Sequence, residues 1–397
     1  MQFSAAPKLN ILMLYVNTNQ NIPLRTETAE VYGRYLVNSG HRLIVVPFLT
    51  SSKPLNKFTW NNIEFYPLPL KRRIFRIKFI QNLIKENDIN IVQACDSGVH
   101  GLMALLVSRK NKIFLTYQCT WPTWEMMNYL FNNKIKYLKI KYWKFRIDSY
   151  LQIQVMQQAD IVFSVSTYIK NDLIKKGVKE EKIILFEDGF SPITFASTIS
   201  GEEIKVKFNL VGYSVLIYQG TMAKIRELEI LIRAFKLVLM NQDKVKLFMV
   251  GDGDGLENLK KLAKELNIEN SIIFTGRVPY EEVPEYIAAS DIGISPIPPI
   301  NLYKISSPLK LFEYMAMAKP VVANEEILEH NNVLKESKGG ILVPYDPEHF
   351  ANAINALLDN PDEAKEMGRN GLVWVTKNRS YETLAKQIEK AYYKLFK

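Results

Sequence analysis

The sequence predicts an α/β protein made of two Rossmann-like, doubly wound parallel-sheet domains facing across a cleft. Three observations carry this expectation. The chain has 397 residues, too many for one compact core, so two domains of about 150–200 residues are expected. Short apolar runs alternate with helical patterns, as parallel βαβ units require. The alternation occurs twice, on either side of Gly189–Tyr213, a stretch of weak periodicity containing Pro192, Gly201 and Gly212. That stretch is expected to be the interdomain linker. The expected divisions are an N-terminal domain over 1–190, a C-terminal domain over 191–380, and a helix over 381–397 that crosses back to the first domain.

The elements follow in order. Lys8 is followed by Leu-Asn-Ile-Leu-Met-Leu-Tyr-Val, which turns polar at Asn17 and is too short for a signal peptide. It reads as a first buried strand, Ile11–Val16. A helix from Thr26 to Ser39 and a Gly40-His41 turn lead to a second strand, Leu43–Pro47, and His41 reads as structural. Ile63–Tyr66, Ile89–Ala94, Ile113–Tyr117, Ile161–Val165 and Ile183–Phe186 complete the first set. In the second half the strands are Val215–Gln219, Lys246–Val250, Ile272–Thr275, Ile292–Pro296 and Pro320–Ala323. Helices Glu227–Leu239, Leu256–Leu266 and Val283–Ser290 separate them, and a helix over Tyr381–Phe396 ends the chain. Two strand sets of this kind hold ligands at their carboxyl ends.

Composition narrows the function classes. Hydrophobic residues make up 47% and charged residues 23%, ordinary for a globular protein, and no run of about 18 apolar residues suggests a membrane span. Cys95 and Cys119 are the only cysteines, so neither a disulfide framework nor a zinc pattern is expected, and a cytoplasmic setting is. The formal charge of +10 leaves nucleic acid, anionic lipid and phosphorylated substrates open as partners.

The most informative segment is residues 306–323, SSPLKLFEYMAMAKPVVA. A polar turn opens an amphipathic helix and a Val-Val strand follows. Ser306 and Ser307 are expected to cap the helix, with Pro308 in its first turn. Helix N-termini attract phosphate, because unpaired N–H groups and the dipole point outward. Lys310 adds a cation there, and Glu313 follows three residues later. Cation and acceptor suit a sugar nucleotide, Lys310 for the diphosphate and Glu313 for the ribose hydroxyls. A second segment, Tyr218-Gln219-Gly220-Thr221-Met222-Ala223-Lys224-Ile225-Arg226, ends a strand in a glycine turn with two cations before a helix. Gly220 lets backbone N–H groups approach a phosphate, and Lys224 and Arg226 neutralise it. A third, Val250-Gly251-Asp252-Gly253-Asp254-Gly255, hints at a nicotinamide cofactor. Its third glycine falls one position early, and no acidic residue ends the next strand, so it reads as a tight structural turn.

These segments closely resemble family 4 of the retaining, GT-B-fold glycosyltransferases, strongly across the second domain and loosely across the first. The resemblance implies donor-diphosphate contacts at Gly220, Thr221, Lys224, Arg226, Ser307 and Lys310. It implies base and ribose contacts at Arg277, Val278 and Glu313, within and beyond the turn Gly276-Arg277-Val278-Pro279. It implies no metal or other cofactor. Two departures stand out: Thr221 occupies a place where the family usually has Arg, and Ile305 replaces a usual sugar-binding Glu eight positions before Glu313. Lys304, Ser306 or Ser307 is expected to contact the sugar instead.

The first domain is less specific. Asp96 and His100 follow a strand end and are the catalytic candidates, His100 because imidazole exchanges protons near neutrality. Tyr117 and Gln118 are candidates for an acceptor pocket, and Arg25 for a phosphate contact. Asp160, Ser164, Ser166 and Glu187-Asp188-Gly189 read as framework. Two basic, aromatic-rich stretches, Lys71–Ile80 and Lys134–Arg146, suit an anionic membrane surface. No nucleic-acid-reading module is recognised. The expected function is transfer of a sugar from a nucleotide-diphosphate sugar to a glycan or lipid-linked acceptor, in the cytoplasm or on the inner face of the membrane. The rivals are a sugar-nucleotide epimerase or phosphorylase of similar fold, and a non-catalytic basic membrane- or nucleic-acid-binding protein.

Overall fold

The computed structural model describes residues 7–17, 28–49, 56–69, 76–120, 122–125, 139–304 and 306–397. Arg25, Lys71–Phe75, Lys134–Leu138 and Ile305 lie outside the described residues. The chain divides into two units, residues 1–187 with 381–397, and residues 188–380.

In the first unit the elements are β1 (Asn10–Asn17), α1 (Ala29–Leu36), β2 (Arg42–Leu49), β3 (Phe58–Trp60), β4 (Ile63–Phe65), β5 (Leu68–Pro69), α2 (Arg76–Glu86), β6 (Ile91–Cys95), α3 (Gly98–Asn111), β7 (Phe114–Cys119), α4 (Lys139–Gln158), β8 (Ile161–Ser164), α5 (Thr167–Lys175) and β9 (Ile183–Leu185). The sheet order is β3-β4-β2-β1-β6-β7-β8-β9, with β5 on β2. Every pairing is parallel except β3 with β4. The expected helix over 26–39 is a short, widely wound turn, in which Val37 N–H reaches back five residues to Tyr32 O.

The second unit holds α6 (Glu202–Lys207), β10 (Ser214–Gln219), α7 (Glu229–Val238), β11 (Val245–Val250), α8 (Leu256–Glu265), β12 (Ile272–Gly276), α9 (Val283–Ala288), β13 (Ile292–Ser295), α10 (Asn301–Lys304), α11 (Leu309–Ala316), β14 (Val321–Asn324), α12 (Leu328–Ser337), β15 (Gly340–Val343), α13 (Pro347–Asp359) and α14 (Pro361–Arg379). Its order, β12-β11-β10-β13-β14-β15, is wholly parallel and reverses direction at β10. The central strands are apolar at most positions because both faces are covered. On β10, Leu216 and Tyr218 enter one core while Val215 and Ile217 enter the other.

The stretch expected to be a linker is not one. Phe190, Phe195, Ile204 and Leu210 are buried in the second unit's core, and α6 forms within it. Aperiodic spacing hid this, since these side chains reach the core from turns. The C-terminal helix α15 (Tyr381–Tyr393) belongs to the first unit. It buries Tyr381, Leu384, Ala385, Ile388, Ala391 and Tyr392 against Leu9, Ile11 and Met13. Its Tyr392 hydroxyl donates to Gln93 Oε1 and lies 3.2 Å from the Tyr32 hydroxyl. Gln93 also accepts from Thr116 and donates to Gln118, so the buried polar groups satisfy one another.

Candidate functional site

A cavity of about 440 Å³ opens at the carboxyl ends of β10, β11 and β12 in the second unit. Gln219, Gly220, Val250 and Gly251 line it from the strand ends, and Arg277, Val278, Pro279 and Tyr280 from the segment after β12. Gly220 has φ +135°, which only glycine adopts readily, and its N–H donates to Val250 O at 2.9 Å.

The loop 220–226 rests on the neighbouring glycine turn. Met222 N–H donates to Asp252 O (2.9 Å), Gly255 N–H to Met222 O (2.8 Å), and Lys224 N–H to Asp254 Oδ1 (2.9 Å). A Cβ on Gly251 would strike Gly220 O, and one on Gly253 would strike the Met222 backbone. Close approach of two loops therefore explains the glycines after β11. Their acidic partners hold the first loop in place.

Lys310 and Arg226 meet at this loop. Lys310 Nζ sits 4.7 Å from the Tyr218 ring centre and Arg226 Cζ 4.4 Å from that of Tyr303, both cation–π distances. A Cβ on Gly220 would lie 3.6 Å from Lys310 Nζ. Burial and the nearby guanidinium of Arg226 push the Lys310 ammonium down to about 7, against a smaller upward pull from Glu313. Tyr218, whose hydroxyl donates to Thr221 O, is pushed up to about 12 by burial.

Glu313 is one turn along α11 from Lys310 and 2% exposed. Its Oε1 accepts from the Tyr280 hydroxyl at 2.9 Å and its Oε2 from Gln219 Nε2. Gln219 is pinned in turn, its N–H donating to the Tyr314 hydroxyl at 3.0 Å. Burial raises the Glu313 carboxyl, while these hydrogen bonds and Lys310 oppose the rise. Tyr280 and Gln219 escaped the sequence reading, because their tie to Glu313 spans 33 and 94 residues.

Arg277 is exposed at the cavity, Val278 half-buried, and Lys224 and Thr221 are exposed on the loop. The serines do not cap α11. Ser306 Oγ donates to Tyr303 O at 2.6 Å, and the buried Ser307 Oγ accepts from Asp188 N–H at 3.2 Å. Pro308, expected in the first turn, is extended (φ −82°, ψ 106°) and precedes the helix. The partner of Ser307 is 119 residues away in sequence, which no local pattern reveals.

Asp96 and His100 lie in the first unit. Asp96 has φ 47°, and its carboxylate accepts from both the N–H and the hydroxyl of Thr120. His100 is buried with Nδ1 2.9 Å from Ser97 Oγ, and burial together with Arg76 pushes it down to about 4. Tyr117 and Gln118, expected to line a pocket, are buried inside this unit. His41 accepts Leu9 N–H and meets Glu389 at 2.7 Å, a structural role.

Comparison with known proteins gives two family matches, glycosyl transferases group 1 over residues 200–374 and glycosyltransferase family 4 over residues 28–191. An uncharacterised glycosyltransferase of Methanocaldococcus jannaschii is 28% identical over 345 residues, covering 84% of this chain and 82% of its own. The α-monoglucosyldiacylglycerol synthase of Streptococcus pneumoniae is 25% identical over 340 residues, covering 82% and 73%. An Anabaena protein solved with UDP and glucose superposes with a TM-score of 0.69 at 14% identity, covering 96% and 98%.

Proposed function

The chain is a glycosyltransferase of the group 1, family 4 type with the GT-B fold, and we propose that it transfers a sugar with retention from a nucleoside-diphosphate sugar to a glycan or lipid-linked acceptor. The observation that carries this reading is the convergence of Lys310, Arg226 and Gly220 beside a cavity lined by Gln219 and Tyr280, the two partners of Glu313. In the proposed complex the diphosphate lies against Lys310 and Arg226, with Gly220 allowing close backbone approach. The base rests along Arg277 and Val278. Each Glu313 oxygen has a lone pair left after Tyr280 and Gln219 are served, so it accepts a ribose hydroxyl as well. Ser306, half-buried, offers its oxygen to the sugar.

Chemically, the two cations counter the charge that builds on the leaving diphosphate, and no metal is called for. The acceptor attacks from the face the diphosphate leaves, and the departing phosphate takes its proton. Support for a lipid-linked acceptor comes from the Streptococcus pneumoniae relative, named for a glycosylated diacylglycerol. The proposed setting is cytoplasmic, at the inner face of an anionic membrane, where exposed Lys78, Lys144 and Arg146 meet lipid headgroups.

A thermal-shift screen with nucleoside diphosphates, with and without a chelator, tests the donor site. Stabilisation by at least one nucleotide that is lost in Lys310→Ala and Arg226→Ala is expected. No shift with any nucleotide would overturn the reading. Proton spectra of the new anomeric linkage report retention or inversion.

A further inference from the structure

Both cations of the proposed donor site rest on aromatic rings, and the support of Arg226 is built by residues to which the proposed chemistry gives no role. Tyr303 lies on the short helix α10, between β13 and α11, with its ring centre 4.4 Å from Arg226 Cζ. It is 7% exposed. Among the described residues no carboxylate is ion-paired with Arg226. A carboxylate would orient the guanidinium by occupying its N–H donors and its charge. An aromatic face orients it and leaves the edge N–H groups for an anion.

Tyr303 is itself held on several sides. Ile297, Tyr303 and Ile327 form a small buried cluster, and Ile225, the residue before Arg226, packs against it together with Ile300. Tyr303 N–H donates to Ile300 O at 2.9 Å. At the start of this segment, Ile297 N–H donates to Asn324 Oδ1 at 2.9 Å. Asn324 ends β14 and is fully buried. Its Nδ2 donates to Glu326 Oε2 at 3.0 Å, and Glu326 Oε1 accepts Tyr345 N–H at 2.9 Å. The Tyr345 hydroxyl donates to Glu227 O at 3.3 Å, on the residue after Arg226. The chain neighbours of Arg226 are therefore tied to the same network as the ring beneath its guanidinium.

His330 on α12 closes the network. Its ring is neutral, and Nδ1 lies 3.0 Å from Asn324 O, which can only accept, so the ring hydrogen is on Nδ1. Nε2 then accepts the Ser295 hydroxyl at 3.0 Å. Ser295 ends β13, so the carboxyl ends of β13 and β14 are locked together where the Tyr303 segment leaves the sheet. A buried polar network satisfied in this way is rigid.

We propose that Tyr303 and Asn324 are positioning residues of the donor site: the Tyr303 ring holds the Arg226 guanidinium in place for the diphosphate, and Asn324 fixes the segment that carries Tyr303. The inference rests on the glycosyltransferase reading and deepens it by naming what presets a phosphate-binding cation. A long side chain ordered before the ligand arrives loses less freedom on binding.

The test is a double-mutant cycle on UDP affinity, read by titration calorimetry with the full chain at concentrations raised to reach the weaker variants. Tyr303→Leu is expected to weaken UDP roughly five- to tenfold, and Tyr303→Phe, which keeps the ring, should restore most of that loss. In an Arg226→Ala background Tyr303→Leu should cost less than about twofold, because the group it positions is gone. A ring that only supports the fold would cost the same in both backgrounds. Asn324→Ala should follow Tyr303→Leu in both. Circular dichroism monitors folding, and Tyr303→Met or Asn324→Ser replaces a variant that does not fold. Undiminished losses in the Arg226→Ala background, or wild-type affinity in either Tyr303→Leu or Asn324→Ala, overturn this assignment and leave the donor reading intact. No UDP binding by the wild type, or wild-type affinity in Arg226→Ala, refutes the donor reading and this assignment with it.

Discussion

Sugar-nucleotide binding should consume a proton at Lys310. The ammonium, half-buried against Tyr218 and near Arg226, is held at about 7. Around it, Tyr218 at about 12 and His330 at about 3 stay neutral between pH 6.5 and 9. A bound diphosphate stabilises the charged lysine and returns it toward its ordinary value. Below pH 7 the lysine is already charged, and binding takes up little. At pH 8 about nine-tenths of it is neutral, so each complex takes up about 0.9 proton. The free protein must first be protonated, and affinity falls about tenfold per pH unit above 7. From pH 7 to 9 the loss is roughly 50-fold, about 2.3 kcal/mol. UDP-glucose is the ligand of choice because its diphosphate does not titrate in this range. Titration calorimetry at pH 8 in HEPES and in Tris reads the proton directly. Lys310→Arg, which cannot lose its charge here, should flatten the profile. A wild-type affinity constant within about twofold from pH 6.5 to 9, with equal heats in both buffers, refutes the reasoning.

Glu313→Gln should weaken UDP about tenfold but hardly affect its 2′,3′-dideoxy analogue, since a charge-assisted acceptor is lost only to a ligand with hydroxyls; equal losses in equilibrium dialysis would assign Glu313 to loop support. Tyr280→Phe frees one Glu313 oxygen from its 2.9 Å partner and should cost a few-fold in UDP affinity in the same dialysis. Gly253→Ala drives a methyl into the Met222 backbone and should lower both the melting temperature and UDP affinity; wild-type values of both would show that the two loops are not coupled. Tyr392→Phe removes the hydroxyl shared with Tyr32 and Gln93 and should cost about 1 kcal/mol in urea unfolding, with nucleotide affinity unchanged.

Much of the fold was legible because parallel sheets covered on both faces write uninterrupted apolar runs. Strands such as Leu247–Val250 and Val321–Ala323 announce themselves in this way. The adjacency of Lys310 and Glu313 was legible because three residues make nearly one helical turn. Hidden features depend on partners distant in sequence. Ser307 looked like a cap until Asp188 claimed its hydroxyl. The carboxylate of Glu313 is fixed by Tyr280 and Gln219, neither of which stands out by type or spacing. Gly189–Tyr213 read as a linker because Phe190, Phe195, Ile204 and Leu210 follow no helical or strand period, yet all four are core. The strand β15 was missed because Gly339-Gly340 at its start resembles a turn, whereas a Cβ on Gly340 would strike Val321 O in the adjoining strand.

The placement of α15 has a consequence for biogenesis. Residues 188–380 form one continuous stretch of chain, so that unit can mature as soon as it leaves the ribosome. The other unit is interrupted in sequence. Leu9, Ile11 and Met13 are synthesised before the second unit, while Leu384, Ile388 and Tyr392, which cover them, are synthesised after it. Until residues 381–393 emerge, the nascent amino-terminal sheet carries an uncovered apolar face, and Gln93 lacks its Tyr392 partner. That interval, rather than any weakness of the finished protein, is when a chaperone or a protease would meet this chain.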